Sequence, residues 1–485
     1  MGERVDRWFV WIPVVALCLL SVAATQAQAG DSPYVYGIHW YGDAQSSDVE
    51  EMSGGLPLWV LETVCLYEDG ASLKAQEAKF RAIAAKGHTL VLRVQPRWGW
   101  AIPPPQERAK YLDDLEAAAR EAAPYCRHWQ IGNEMNLFDE YGKQRLEPED
   151  YASFYREARE RLRRVTSPRG PIMALVGPVS PGGFFNEVRF MEGWRYLDEV
   201  CRALGPGAAD GFAIHAYGAH WKDMRGALED FRECYRQQVH VLDSTGFSTA
   251  PVYLLEWNRQ STPKDNPAQE AISAAFLQSV FLDLQAWNAQ AATHPIVCAT
   301  WFIYDDAPGW EIFSILHLKG HNPRGPASDL WDAFQAACRL GIPAGQQEGL
   351  TPAVVVRATS ATISGAWARG EVLRDKSLGE YLYRFPGGDA RVEFSAALPA
   401  PGRYAVYAWW PSSPRATRAA RFEVIHAGGM EVVTLDQRQT GGAWRLLGEW
   451  DFLREGRVVL SGDSPDAGGV IGADAVKFVK RADLD

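Results

Sequence analysis

Between residues 35 and 306, eight short runs rich in β-branched and aromatic residues alternate with longer stretches of helical pattern. No other feature of the chain limits its fold as strongly, because strands separated by helices pair in parallel through crossover connections. The runs cover 35–41, 58–65, 89–95, 128–133, 172–177, 211–216, 252–256 and 296–303. Stretches rich in Ala, Glu, Arg and Leu, such as 105–122 and 148–164, fall between them, and 327–340 supplies a last helix. Eight such units over about 300 residues predict an α/β fold, a closed (β/α)8 barrel. The competing open doubly wound sheet needs a G-x-G-x-x-G turn after its first strand. Here Tyr36-Gly37-Ile38-His39-Trp40-Tyr41-Gly42 leads into polar residues instead.

After residue 341 the texture changes. Gly341-Ile342-Pro343-Ala344-Gly345 begins a linker, and beyond it short alternating runs separated by Gly, Pro and Asp predict an all-β sandwich with strands near 404–411, 421–425, 432–435 and 457–460. At the other end, the 17 apolar-rich residues 8–24 followed by Ala27-Gln28-Ala29 fit an export signal with a small-x-small cleavage site. The expected organisation is a signal peptide over 1–29, a barrel over 30–340, a linker over 341–352 and a sandwich over 353–485. Such a chain is secreted, with no membrane association beyond its export signal, and is expected to be a monomer.

The formal charge of −11, with no run of Lys and Arg, argues against nucleic acid or anionic polymers as partners. Cys65, Cys126, Cys201, Cys234, Cys298 and Cys338 contain no C-x-x-C spacing, so no metal site is expected from them. Cys298, within Ile296-Val297-Cys298-Ala299-Thr300-Trp301, reads as a small buried hydrophobe, and the others are free to pair in an oxidising compartment.

Two glutamates stand at matching places. Glu134 follows the fourth run in His128-Trp129-Gln130-Ile131-Gly132-Asn133-Glu134, and Glu256 closes the seventh in Pro251-Val252-Tyr253-Leu254-Leu255-Glu256. Both would project from the carboxyl ends of barrel strands, where such enzymes keep their chemistry, so their separation of 122 positions does not keep them apart in space. Paired carboxyl groups about 5 Å apart can cleave a glycosidic bond with retention, one donating and recovering a proton while the other attacks the anomeric carbon. On the sixth run, alternation aims His215 and Tyr217 to one side, where both could touch a catalytic carboxylate. Trp40, Trp98, Trp257 and Tyr304 follow or end strands and offer flat faces for sugars, as do Trp100 and Trp310, although several of the 19 tryptophans must be core residues.

Gly132-Asn133-Glu134 after the fourth run, with Leu255-Glu256-Trp257 at the end of the seventh, resembles the (β/α)8-barrel retaining glycoside hydrolases of clan A over about residues 33–340. The resemblance implies Glu134 as acid/base, Glu256 as nucleophile, Asn133 as a donor to the sugar 2-hydroxyl, and Trp301 as the stacking platform beside the scissile bond. It implies no cofactor. Many members carry Arg at the end of the second strand. This chain has Glu62 there, which leaves Arg93 or Arg97 to supply the positive charge, while Asp305 and Asp306 after the eighth run are further acidic candidates.

The pieces Tyr407-Ala408-Trp409-Trp410-Pro411, Gly441-Gly442-Ala443-Trp444 and Ile471-Gly472-Ala473-Asp474-Ala475-Val476 resemble the golvesin-type, xanthan-lyase-associated carbohydrate-binding-like domain. Trp409 and Trp410 alternate across a strand, so at most one is expected to face a ligand. Asp474 is expected to hold a turn or to contact a ligand. The combined expectation is an exported hydrolase acting inside polysaccharide or oligosaccharide chains. A noncatalytic carbohydrate-binding or matrix protein and a transglycosidase remodelling a surface glycan are the rival readings.

Overall fold

The computed structural model describes residues 30–182, 188–218, 223–259, 267–290, 294–305, 310, 313–316, 330–346 and 350–481. The expected export signal, Asp306 and the start of the last predicted helix lie outside the described residues. Among the described residues no helix is long and apolar enough to cross a membrane.

Eight parallel strands close into a barrel in chain order: β1 (Tyr36–His39), β2 (Trp59–Cys65), β3 (Thr89–Gln95), β4 (Cys126–Ile131), β5 (Met173–Val176), β6 (Gly211–Gly218), β7 (Val252–Arg259) and β8 (Ile296–Trp301). Closure is made by β1 pairing with β8. Between and after them run α1 (Asp48–Ser53), α2 (Leu73–Ala85), α3 (Arg108–Ala122), α4 (Pro148–Arg163), α5 (Gly193–Leu204), α6 (Met224–Ser244), α7 (Pro267–Asn288) and α8 (Leu330–Cys338). The strands are buried along their whole length because both faces are covered, one by the barrel interior and one by helices. Trp59, Leu61, Val91, Leu175, Ala213, Tyr253 and Leu255 fill the interior.

One irregularity shapes the barrel mouth. The register between β6 and β7 shifts by a residue, so that Ile214 pairs with Leu254 while His215 pairs with Glu256. Leu255 is the extra residue of a β-bulge. Strict alternation from Tyr253 and Leu255 would turn Glu256 outward; the bulge re-aims it into the barrel and sends Trp257 out among the helices.

The strands of the C-terminal region pair antiparallel. Its strands are β9 (Ala353–Arg357), β10 (Thr362–Ser364), β11 (Ala368–Gly370), β12 (Tyr381–Arg384), β13 (Arg391–Ala397), β14 (Gly402–Trp409), β15 (Ala420–His426), β16 (Gly429–Leu435), β17 (Arg445–Phe452), β18 (Glu455–Ser461), β19 (Ile471–Ala473) and β20 (Ala475–Lys480). They form a five-stranded sheet, β10-β13-β18-β15-β16, a four-stranded sheet, β17-β14-β20-β9, and a small sheet, β11-β12-β19. Val392, Phe394, Val406, Trp410, Phe422, Leu460 and Phe478 make up the core between them.

The other face of β14 packs on the barrel. Tyr407, Trp409 and Trp444 join the core that continues through α6, where the His240 ring meets Trp409 edge-on at 4.3 Å. Lys477 Nζ reaches Asp243 at 2.9 Å, with both side chains almost fully buried, and Lys376 Nζ reaches Glu233 at 2.6 Å. Trp409 and Trp410 do lie on opposite faces, but both are interior residues, one in the lobe interface and one in the sandwich core, so neither is open to a ligand. Asp474 is buried and accepts hydrogen bonds from the backbone and hydroxyl of Ser377, which gives it a fold-holding role. The six cysteines from Cys65 to Cys338 are all unpaired, and Cys298 is buried in the barrel.

Candidate active site

At the carboxyl ends of β4, β6 and β7 the chain brings Glu134, His215 and Glu256 together, and ligand-type atoms of all three lie within 4.8 Å of one another. Glu134 sits three residues past β4, on a turn that Gly132 enters at φ 88° and that Glu134 itself leaves in the left-handed region at φ 39°. A non-glycine residue held there costs about 1–2 kcal/mol, so the surroundings must fix it. They do: the Tyr151 hydroxyl donates to Ile131 O at 2.6 Å and accepts from Gly177 N at 2.7 Å. The Asn136 amide ties the same turn to the loop after β5, donating to Ser180 O at 2.9 Å and accepting from Ser180 N at 2.8 Å.

His215 Nδ1 lies 2.8 Å from Glu134 Oε1 and 3.6 Å from Glu256 Oε2, between the two carboxyl groups. Tyr217, two residues on and on the same face of β6, donates its hydroxyl hydrogen to Glu256 Oε2 at 2.6 Å. On the opposite side, the Arg93 guanidinium bonds Glu256 Oε1, and the buried His39 ring approaches the same oxygen at 3.6 Å.

These surroundings push the two carboxyl groups in opposite directions. Burial, reinforced by the charge of Glu256, raises Glu134 to about 8, with Arg93 offsetting only part of the rise. Burial would raise Glu256 as well. His215, Arg93 and His39, with the Tyr217 hydrogen bond, outweigh it and hold this carboxyl well below its ordinary value. Arg93 is the permanent cation among these groups, since burial and neighbouring positive charge depress His39 far below the usual imidazole range. At neutral pH the pair therefore holds one proton, on Glu134, and one negative charge, on Glu256.

Glu134, His215 and Glu256 are also the set among the described residues with the spacing of a metal site. The donor set does not suit a cation. Arg93 occupies one oxygen of Glu256 and Tyr217 the other, so a metal would displace a hydrogen bond and face a guanidinium.

Asn133 is buried beside Glu134 and makes a hydrogen bond to Glu140, a half-buried third carboxyl group. Burial, then the charge of Glu134, raises Glu140 to about 8. Nothing in the sequence singles out Glu140, which lies in a loop with no periodic pattern. His39 could have been found by counting alternate residues along β1, and Arg93 announces itself as a charge inside an otherwise apolar strand.

Beside the carboxyl pair lies a cleft of about 500 Å³ whose lining includes Trp40, Trp98 and Trp310. Trp98 is 52% exposed and Trp310 38% exposed, so both present open ring surface. Trp40 connects the cleft to the carboxyl pair, its ring 4.6 Å from His39 and 5.7 Å from Phe302. Glu62 and Asp305 also line it. Glu62 accepts from Tyr41 N and pairs with Lys79, both at 2.8 Å, while Gly42 passes so close to Asp305 that a Cβ would stand 2.5 Å from its Oδ2.

Trp257, Trp301 and Tyr304 are placed elsewhere. The Trp257 and Trp301 rings meet edge to face at 4.9 Å, fully buried in the layer between barrel and helices, with Phe231, Phe276 and Phe281 around Trp257. Tyr304 is buried near Tyr41. None of the three offers a face to the cleft. The aromatic side chain at this end of β8 that does border the site is Phe302, whose ring lies 5.3 Å from His39 and 5.4 Å from Trp310.

Residues 354–480 match the profile of the golvesin C-terminal domain. A xanthan lyase of Bacillus sp. (strain GL1) is 35% identical over 161 residues, which covers 30% of this chain. The chain spans only 17% of that protein's length. Among solved structures, a glucosidase from Croceicoccus marinus aligns over 93% of this chain and 97% of its own at 14% identity, with a TM-score of 0.44. A family 39 glycoside hydrolase from Bacteroides cellulosilyticus WH2 aligns over 89% and 81% at 13% identity, also with a TM-score of 0.44.

Proposed function

We propose that the chain is a secreted retaining glycoside hydrolase that cleaves within polysaccharide chains. The observation that carries this reading is the oppositely tuned pair, a protonated Glu134 and an ionised Glu256 close enough for double displacement. Glu134 protonates the leaving glycosidic oxygen while Glu256 attacks the anomeric carbon and forms a glycosyl-enzyme. Glu134, now ionised, then takes a proton from water, which displaces Glu256 and releases the sugar with its original anomeric configuration. Tyr217 and Arg93 stabilise the ionised nucleophile, and His215 orients both carboxyl groups. Asn133 is assigned to the 2-hydroxyl of the sugar being cleaved.

The three tryptophans of the cleft, two of them with open ring surface, support a sugar polymer as substrate, since a ring face covers the apolar C–H face of a pyranose. The similarity to a xanthan lyase adds a polysaccharide-acting relative for part of the chain.

Reducing-end release from a panel of plant, fungal and bacterial polysaccharides, with wild type, Glu134→Ala and Glu256→Ala compared, tests the proposal. Loss of release in both folded variants supports it, and nuclear magnetic resonance of the first product anomer distinguishes retention from inversion. Products that carry a 4,5-unsaturated terminal sugar would sink the hydrolase reading. Transfer to an added acceptor sugar in preference to water would make the enzyme a transglycosidase. Glycan binding without turnover would favour the noncatalytic alternative.

A further inference from the structure

A second cavity, about 620 Å³, lies between the barrel and the sandwich. Its barrel wall includes Tyr217, Trp194 and Gln237, and its sandwich wall includes Glu371, Gly379 and Glu380. Tyr217 belongs to both regions, because its hydroxyl holds Glu256 and the residue also lines the cavity. Tyr217 thus links the cavity to the carboxyl pair. The lobes are fixed around it by Lys376 to Glu233 at 2.6 Å and by Arg374 to Asp230.

We infer that this cavity is the continuation of the substrate path, so that the sandwich supplies part of the binding site for the same sugar chain that the carboxyl pair cuts. The inference rests on the glycosidase reading. The lining suits a carbohydrate without carboxyl groups. Trp194 is half-buried and its ring edge lies over Gly379, where a Cβ would stand 3.2 Å from it. Gly379 also has φ 58°, so the chain passes close to the ring in a conformation that side chains disfavour. Of the five carboxylates in the lining, four are paired with cations at its edge: Glu192 with Arg189, Asp230 with Arg374, Glu233 with Lys376 and Glu380 with Arg369. Paired carboxylates keep lone pairs that accept hydrogen bonds from sugar hydroxyls, and a lining whose charges are mostly matched offers little positive charge to spare for a polyuronate. A neutral oligosaccharide several units long is the ligand class that fits.

The test uses the full chain and reducing-end-labelled neutral oligosaccharides of two to eight units, from gluco-, xylo-, manno- and galacto-oligosaccharide series. Trp194→Ala and Glu371→Lys are compared with Leu453→Ala, a control at an exposed site on the far lobe that is expected to behave as wild type. Both cavity variants are expected to lose kcat/KM in proportion to chain length, reaching about tenfold for six units, which corresponds to losing one good contact. An equal loss at every length, or no loss at any, overturns the inference while leaving the glycosidase reading intact. Should the wild type turn over nothing, calorimetric titration with the same neutral oligosaccharide series decides it. Binding that Trp194→Ala abolishes would keep the cavity as a sugar site, and absent or unaltered binding would remove it.

Discussion

The Tyr217 hydroxyl donates to Oε2 of Glu256 at 2.6 Å, from the position on β6 two residues beyond His215. A hydrogen bond to a charged group contributes about 1.5–3 kcal/mol. Tyr217→Phe is therefore expected to lower kcat about 10-fold to 100-fold. It should also move the acid limb of the pH profile upward, because Glu256 loses a donor that favours its ionised form. Steady-state kinetics across pH on a purified substrate measures both effects.

The basic limb belongs to Glu134. Its carboxyl must be protonated to act, and burial with the neighbouring charge raises it to about 8. Activity is thus expected to be retained through neutral pH and to fall as pH rises through about 8, not near the 4 to 5 of an ordinary glutamate. Glu134→Gln should abolish that limb. On an aryl glycoside whose leaving group needs no proton, it should retain glycosylation far better than Glu256→Gln does, as pre-steady-state release of the aryl group would show.

Arg93→Met removes the permanent cation from Glu256 Oε1. A buried carboxylate losing its partner costs about 3–5 kcal/mol, so a fall in kcat/KM of about a hundredfold to a few thousandfold is expected, together with a raised acid limb. A variant with wild-type acid limb and activity would show that Arg93 does not set the ionisation of Glu256.

Trp40→Ala and Trp98→Ala act on binding. Each is expected to raise KM for a long oligosaccharide about tenfold with a smaller change in kcat, since each removes a ring face from the cleft and leaves the carboxyl pair in place. Trp257→Ala should behave differently. It leaves a large void among Phe231, Phe276 and Phe281 and is expected to cost about 3–5 kcal/mol of stability, measured by denaturant unfolding.

The contrast between these tryptophans marks where the sequence was readable. All eight barrel strands are visible as mostly apolar runs, because a strand covered on both faces keeps polar side chains only where they have a partner or a task. Glu134, His215 and Glu256 were also legible, since charged or titratable residues at the ends of such runs stand out. Parity was the weak point. Counting by twos from Tyr253 puts Trp257 inside the barrel, and only the bulge at Leu255 reverses this, a register shift that depends on pairing with β6. Glu140 and the cavity between the lobes left no local trace, because each exists only through contacts between distant segments.

The Lys477–Asp243 pair offers a test of how the lobes hold together. Lys477→Met leaves Asp243 buried without its main partner and is expected to cost about 3–5 kcal/mol in urea unfolding. Loss should appear as a shift of one shared transition, because a continuous core joins the two lobes.

Along α6 every residue from Gln238 to Asp243 is buried, more than a full helical turn without a solvent-facing side. That helix serves two hosts at once, the barrel on one flank and β14 on the other. Its sequence is therefore under joint ownership: a change tolerated by either lobe alone can be rejected by its neighbour. Recombining such a barrel with a foreign sandwich becomes a problem of transplanting a surface, in which residues 224–244 must travel as matched halves with whatever replaces Trp409, Trp444 and Lys477.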